Sequence, residues 1–262
     1  MSTESGKGMR IPNALVEAVG QRQAVLFAGA GISLPAIGVS GITVRNEIGR
    51  KIQNDYPSYD VSSRSLEDVC DEYVALNDRI RLVNAIAALI PQNALPLPSH
   101  VAAVRAFRYI VTTNWDLLFE AAYKQINQHY QVLAREEDAP NFSYDQHNLL
   151  KIHGSADSPL TLIATSEDYE IYPDTHRKLL DRIADLLNNN TVLFVGYGLR
   201  DEHVRRLLAR IRVEKGVWGR RAYAVGFFDE VRTKLFDKRN IDVLSYEADA
   251  FLPELVSRAG VP

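Results

Sequence analysis

The sequence predicts an α/β protein: a doubly wound, mostly parallel sheet with a small helical subdomain inserted after the first strand. Three observations predict it. Short apolar runs recur at 25–28, 107–111, 149–152 and 191–195, each too short for a helix and suited to a strand buried on both faces. Stretches with apolar residues at helical spacing separate them, and strands alternating with helices build a parallel sheet. Finally, these four runs end in glycine or polar signatures: Gly29-Ala30-Gly31-Ile32-Ser33, Thr112-Thr113-Asn114-Trp115-Asp116, His153-Gly154 and Gly196-Tyr197-Gly198.

The bulk properties narrow the class. With 46% hydrophobic and 24% charged residues, the 262-residue chain has the balance of a globular protein with a sizeable core, read here as one domain over 1–262. A net charge of -3 argues against general nucleic-acid binding and against an acidic membrane surface. Cys70 is the single cysteine, which excludes an internal disulfide and a multi-cysteine zinc site and fits a reducing cytoplasm. No apolar run approaches the roughly 18 residues of a membrane span. Residues 1–10 are polar, lack the apolar core of a signal peptide and are expected to be a disordered lead-in.

In order, Ile11, Leu15 and Val19 mark a first helix, and the glycine-ended strand follows. Val44, Ile48 and Ile52 define one helical face. Leu66, Val69, Tyr73 and Leu76 define a second, with Ser63 or Ser65 as its cap. Ile80, Val83, Ile86, Ala87 and Ile90 define a third, stopped by Pro91, Pro96 and Pro98. Residues 41–98 therefore read as a helical insert that could cover a ligand like a lid. A strand at 107–111, an amphipathic helix from Leu117 to Ile126 and a strand at 130–134 come next. Residues 135–146 read as a loop, 149–152 as a strand and 160–164 as a further strand or edge segment. Asp168-Tyr169-Glu170 falls in a loop, and 175–187 is helical. The strand 191–195 leads to a helix over 202–211 capped by Asp201. Strands at 222–226 and 241–245 flank a helix over 230–238, and Asp249 opens a closing helix.

Two glycines directly after a buried strand let the backbone turn sharply and approach a ligand closely. A helix starting there points free N–H groups at an anion, and Ser33 adds a hydroxyl. Position 34 is Leu, so the third glycine of the dinucleotide fingerprint is missing, and a tight turn without a ligand is the plain alternative. Asn114 and Asp116 could equally cap the following helix, His153 could be a core histidine, and Gly196 and Gly198 could mark another turn. Ligands in a doubly wound sheet bind beyond the carboxyl ends of the strands. If the strands are parallel, all four signatures meet in one crevice, and that convergence favours a functional site over four separate turns.

Taken together, these motifs resemble the sirtuin family, and more closely its bacterial NAD-cleaving branch found in anti-phage defence. The resemblance is carried by Gly29-Ala30-Gly31-Ile32-Ser33, Thr113-Asn114-Trp115-Asp116, His153-Gly154 and Gly196-Tyr197-Gly198-Leu199-Arg200-Asp201, and covers about 24–201. It implies a Rossmann-like sheet whose helical subdomain closes over NAD. The backbone of Gly29, Ala30, Gly31 and Ile32, with the Ser33 hydroxyl, would hold the pyrophosphate. Thr113, Asn114 and Asp116 would face the nicotinamide ribose and nicotinamide, and His153 would be the acid–base residue. Gly196 and Gly198, with Asp201 nearby, would lie against the adenosine half.

The departures point the same way. The deacylating sirtuins carry a four-cysteine zinc ribbon after the histidine, and this chain has no cysteine there. The resemblance thus implies an NAD+ hydrolase releasing nicotinamide and ADP-ribose, with NAD as substrate and no metal. It implies an effector that depletes NAD, in the cytoplasm, as a homo-oligomer or joined to a sensor, either a fused domain or a partner such as an ATPase. Direct nucleic-acid binding and membrane attachment are not expected. A zinc-less NAD-dependent deacylase and a non-catalytic NAD or ADP-ribose binding module are the alternatives. The basic concentration from Arg200 to Arg221 is read as a solvated face or, alternatively, a contact with an acidic partner.

Overall fold

The computed structural model describes residues 9–198, 205–206, 209 and 222–261. Among these, seven strands form one sheet: β1 (Ala24–Ala28), β2 (Tyr109–Thr112), β3 (Tyr130–Leu133), β4 (His147–Lys151), β5 (Thr191–Val195), β6 (Ala222–Val225) and β7 (Ile241–Leu244). Every neighbouring pair is parallel, in the order β3-β4-β2-β1-β5-β6-β7. The order reverses at β1, which pairs with β2 on one side and β5 on the other. The doubly wound α/β class read from the sequence is the observed one.

Period-two alternation feeds two cores. Leu26 and Ala28 of β1 face one core, and Val25 and Phe27 face the other. The first core packs under α1 (Asn13–Gly20), α6 (Pro98–Ala106), α7 (Leu118–Gln125) and α11 (Ala248–Arg258), through Leu15, Ala103, Phe119 and Leu252 among others. The second packs under α9 (Arg177–Asn189) and α10 (Glu230–Asp237), through Leu179, Ile183 and Phe236. The inserted helices α3 (Gly41–Asp55), α4 (Leu66–Leu76) and α5 (Arg79–Leu89) follow α2 (Ala30–Ile37) and build a third core. Ile48, Cys70, Val83 and Ile86 form its centre, and Leu162, Ala164 and Trp115 from the sheet domain pack into it. Ser65 caps α4 in a reciprocal pair with Asp68. No helix among the described residues is long and apolar enough to cross a membrane.

Several local expectations are corrected. Pro98 does not merely end the insert; it opens α6, at a first-turn position where a missing N–H costs nothing. Residues 160–164 are not a strand. A 3-10 turn (Pro159–Thr161) precedes Leu162–Ala164, where the Ile163 amide bonds the His153 carbonyl. Asp168-Tyr169-Glu170 is not a loop but part of α8 (Ser166–Thr175), started by reciprocal capping between Thr165 and Asp168. Leu76 and Ile80 are exposed while Leu82 is buried, so the buried faces of α4 and α5 are rotated from those expected. Residues 1–8 of the expected disordered lead-in lie outside the described residues. Met9 packs on the first core, and the Arg10 amide donates to the Tyr246 hydroxyl at 2.9 Å. Asp201 and most of the 202–211 helix also lie outside the described residues, although Arg205, Arg206 and Ala209 are helical.

Candidate active site

The pairing register aligns the carboxyl ends of the four central strands. Ala28 lies opposite Thr112 and Val195, and Thr112 lies opposite Lys151. The four signatures therefore leave the sheet side by side, at the strand-order reversal where doubly wound sheets bind ligands. Here a cleft of about 340 Å³ opens between the sheet domain and the insert. Of the residues singled out in the sequence, Ala30, Ser33, Thr113, Asn114, Asp116 and His153 line it.

The amides at the glycine turns bond main-chain carbonyls. The Gly29 amide bonds the Val195 carbonyl at 3.0 Å, the Gly31 amide bonds the Gly196 carbonyl at 2.9 Å, and the Ile32 amide bonds the Gly29 carbonyl at 3.1 Å. A Cβ on Gly31 would stand 2.9 Å from the Gly196 backbone, and one on Gly196, at φ +64°, would stand 2.2 Å from the Ile32 nitrogen. These glycines let the loops after β1 and β5 press backbone to backbone. Gly29, Gly31, Ile32, Gly196 and Gly198 are not among the described residues that line this cleft. Tyr197 packs inward on Phe27, ring centres 5.1 Å apart.

Asn114 is the best-held polar group. It is 5% exposed, and its Nδ2 donates to Ser33 Oγ at 2.9 Å and to the Gly29 carbonyl at 3.3 Å. Two acceptors on one side fix the amide orientation. Its Oδ1 is buried and accepts no hydrogen bond among the described residues. Ser33 Oγ also lies 3.2 Å from Nε2 of His100, a fully buried residue of α6 that sequence reasoning passed over. The Leu97 amide donates to His100 Nδ1 at 3.3 Å, so the ring proton of the neutral form sits on Nε2 and points at Ser33. Burial pushes His100 down to about 4, although Asp116 and Asp249 pull it upward. Ser33 thus accepts from both neighbours, and its own proton remains to be donated.

Asp116 stands where the start of α7 meets the cleft. Its Oδ1 accepts the Leu118 amide at 3.0 Å, capping α7, and it also lines the cleft. His153 is 6% exposed, and its ring meets Tyr169 of α8 edge to face, centres 5.3 Å apart. Trp115 joins the cleft wall to the insert core.

Val39 and Ser40, just before the insert, and Val44, Leu66, Glu67 and Ile90 within it line the cleft although no motif signalled them, as does Tyr169 of α8. Among the described residues the lining carries the carboxylates of Asp116 and Glu67 and neither Lys nor Arg. That charge suits a cationic or hydroxyl-rich group better than a phosphate. Among the described residues no cluster of three or more His, Cys, Asp or Glu could hold a metal ion.

The model of the SIR2-like domain family matches residues 108–244. The chain is 27% identical over 107 residues to defense-associated sirtuin 2 of Bacillus subtilis, covering 40% of this chain and 10% of that protein. It is 23% identical over 224 residues to the NAD(+) hydrolase ThsA of Cytobacillus dafuensis, covering 85% of this chain and 44% of that one. The chain thus spans less than half the length of both. A crystal structure of a SIR2 homologue in complex with NAD shares the fold, with TM-score 0.60, 15% identity, and 98% and 96% of the two chains covered.

Proposed function

The chain belongs to the SIR2-like family, and we propose that it is an NAD+ hydrolase that cleaves the nicotinamide–ribose bond in the cleft between sheet and insert. The observation that carries this reading is the fixed Asn114 amide, with its Oδ1 left to accept, in a cleft that His153, Asp116 and Glu67 also line. The similarity to ThsA and to the NAD complex supports NAD as the substrate.

When the bond breaks, its electron pair goes to the pyridinium nitrogen, nicotinamide leaves neutral, and positive charge passes to the ribose. Asp116 and Glu67 stabilise that charge in a site closed over by the insert. Asn114 Oδ1 accepts from a ribose hydroxyl or the attacking water, and His153 takes the proton as the water oxygen bonds the ribose carbon. Ser33 and Thr113 border the ribose, and the diphosphate runs toward the start of α2 at Ala30. The adenosine half lies toward Gly196 and Gly198. Needing only orientation, a base and charge stabilisation, this chemistry runs without a metal. Residues 41–98 act as the closing part of a single domain over 1–262.

In the cell we propose a cytoplasmic effector that depletes NAD when an infection is sensed. The sensor is a fused domain, a partner protein or contact between copies of the chain. Incubating the purified protein with NAD and separating products by chromatography tests the activity. Nicotinamide and ADP-ribose should form without any acyl-lysine peptide, and His153→Ala should slow them about 10²- to 10⁴-fold. Turnover that required the peptide would replace hydrolysis by deacylation.

A further inference from the structure

Among the described residues, the proposed chemistry leaves a buried cation unused. Lys151 ends β4 with its side chain 1% exposed. Its Nζ donates to the Asp116 carbonyl at 2.7 Å, to Glu120 Oε1 at 2.8 Å and to Ser155 Oγ at 2.8 Å. An ammonium has three N–H groups, so all three are engaged. The acceptors come from different places. Asp116 closes the loop that carries Asn114, Ser155 lies two residues beyond His153, and Glu120 is in α7, the helix Asp116 caps. The Ala156 amide, which bonds the Trp115 carbonyl at 2.8 Å, joins the same two loops.

A stability role does not account for this choice. Taking a lysine and a carboxylate out of water is expensive, and a well-packed apolar pair of similar volume is often as stable or more so. What an apolar pair cannot do is hold a main-chain carbonyl, a hydroxyl and a carboxylate at fixed angles around one atom. Nor does Lys151 line the cleft; it stands behind it.

We propose that Lys151 is a positioning residue of this active site. Its ammonium locks the loop bearing Asn114 and Asp116 to the loop bearing His153, so that the three side chains keep their places in one cleft. The assignment rests on the reading of the cleft as an NAD-cleaving site, because it is there that this placement matters. Displacing reacting groups by about 1 Å can slow a reaction about 10²-fold while leaving ground-state binding nearly intact.

The test uses two variants of the whole chain. In the double variant Lys151→Met/Glu120→Leu the clamp is gone and no buried charge is stranded. In Glu120→Gln the Nζ keeps three acceptors but loses its counter-charge, and the new amide nitrogen takes the place of Glu120 Oε2, which makes no hydrogen bond among the described residues. NAD affinity by calorimetry, kcat at a temperature where all forms are folded, and hydrogen exchange at the Ala156 amide are measured on each. The double variant should bind NAD within about threefold of wild type, lose about 10²-fold in kcat and exchange faster at Ala156. Glu120→Gln should retain at least tenfold more kcat than the double variant. A double variant with a lowered melting temperature but wild-type kcat, or with unchanged exchange at Ala156, would overturn the proposal and leave only a structural ion pair. If wild type itself releases no nicotinamide, the NAD-cleaving reading fails, and the exchange measurement still decides whether Lys151 holds the two loops together.

Discussion

At the scale of single residues, His100 and Gly196 support the site without touching the cleft. Burial holds His100 at about 4, whereas the unfolded chain protonates it near its ordinary 6.5. Between those values the unfolded state binds more protons, so stability is complete above about pH 6.5 and is lost as pH falls toward 4. The gap corresponds to about 3 kcal/mol. His147, also lowered by burial, acts with the same sign. Denaturant unfolding at pH 7 and pH 4.5 should show the loss, and His100→Gln should flatten the slope without abolishing it; a slope identical to wild type would place the acid sensitivity elsewhere. Gly196 and Gly38 have similar positive φ, 64° and 66°, but a Cβ on Gly38 would meet nothing within 4 Å. Gly38→Ala should therefore lose about 1 kcal/mol, from backbone strain alone. Gly196→Ala should lose about 3 kcal/mol or more, because the loops after β1 and β5 must part. Equal losses at the two positions would mean that the loops are not pressed together as described.

At the scale of elements, the insert is fastened to the sheet domain by Arg79. Its guanidinium lies 2.6 Å from Asp168 and donates to the Leu162 carbonyl at 2.9 Å, tying α5 to the start of α8. Arg79→Ala leaves Asp168 with the Ala164 and Thr165 amides, so the fold should persist with a melting temperature a few degrees lower. Hydrogen exchange should quicken in α4 and α5 and not in β1 or β5; uniform quickening would show that the contact serves global stability instead. The elements legible in the sequence were those with a strong local signal. The sheet strands announced themselves as apolar runs with polar ends, and α9 by its regular stripe of Leu179, Ile183, Leu186 and Leu187. Hidden elements had signals of the opposite sign. Proline at the first turn of α6 read as a stop, and α8 carries Pro173 inside a polar sequence. The site followed the same rule. Asn114, Asp116 and His153 stand at strand ends and could be named, whereas His100, Glu67 and Tyr169 reach the site only through packing between segments far apart in the chain.

At the scale of the whole molecule, the order of strands decides where chemistry can occur. Reversal of the strand order at β1 brings four loops to one edge, and the insert between β1 and β2 roofs that edge with its own core. A ligand held between two packed bodies should stabilise both. NAD at 100 times its Kd should add about 2.7 kcal/mol to unfolding for a variant that binds without turnover, read as a rise in melting temperature. The most direct test of NAD cleavage in this cleft is single-turnover release of nicotinamide from labelled NAD by wild type and Asn114→Ala, with binding measured on the same samples. We expect both to bind and release from Asn114→Ala to be slower by about 10² or more. Equal release rates from the two proteins would contradict the account, because the amide fixed between Ser33 and Gly29 would then have no part in breaking the bond.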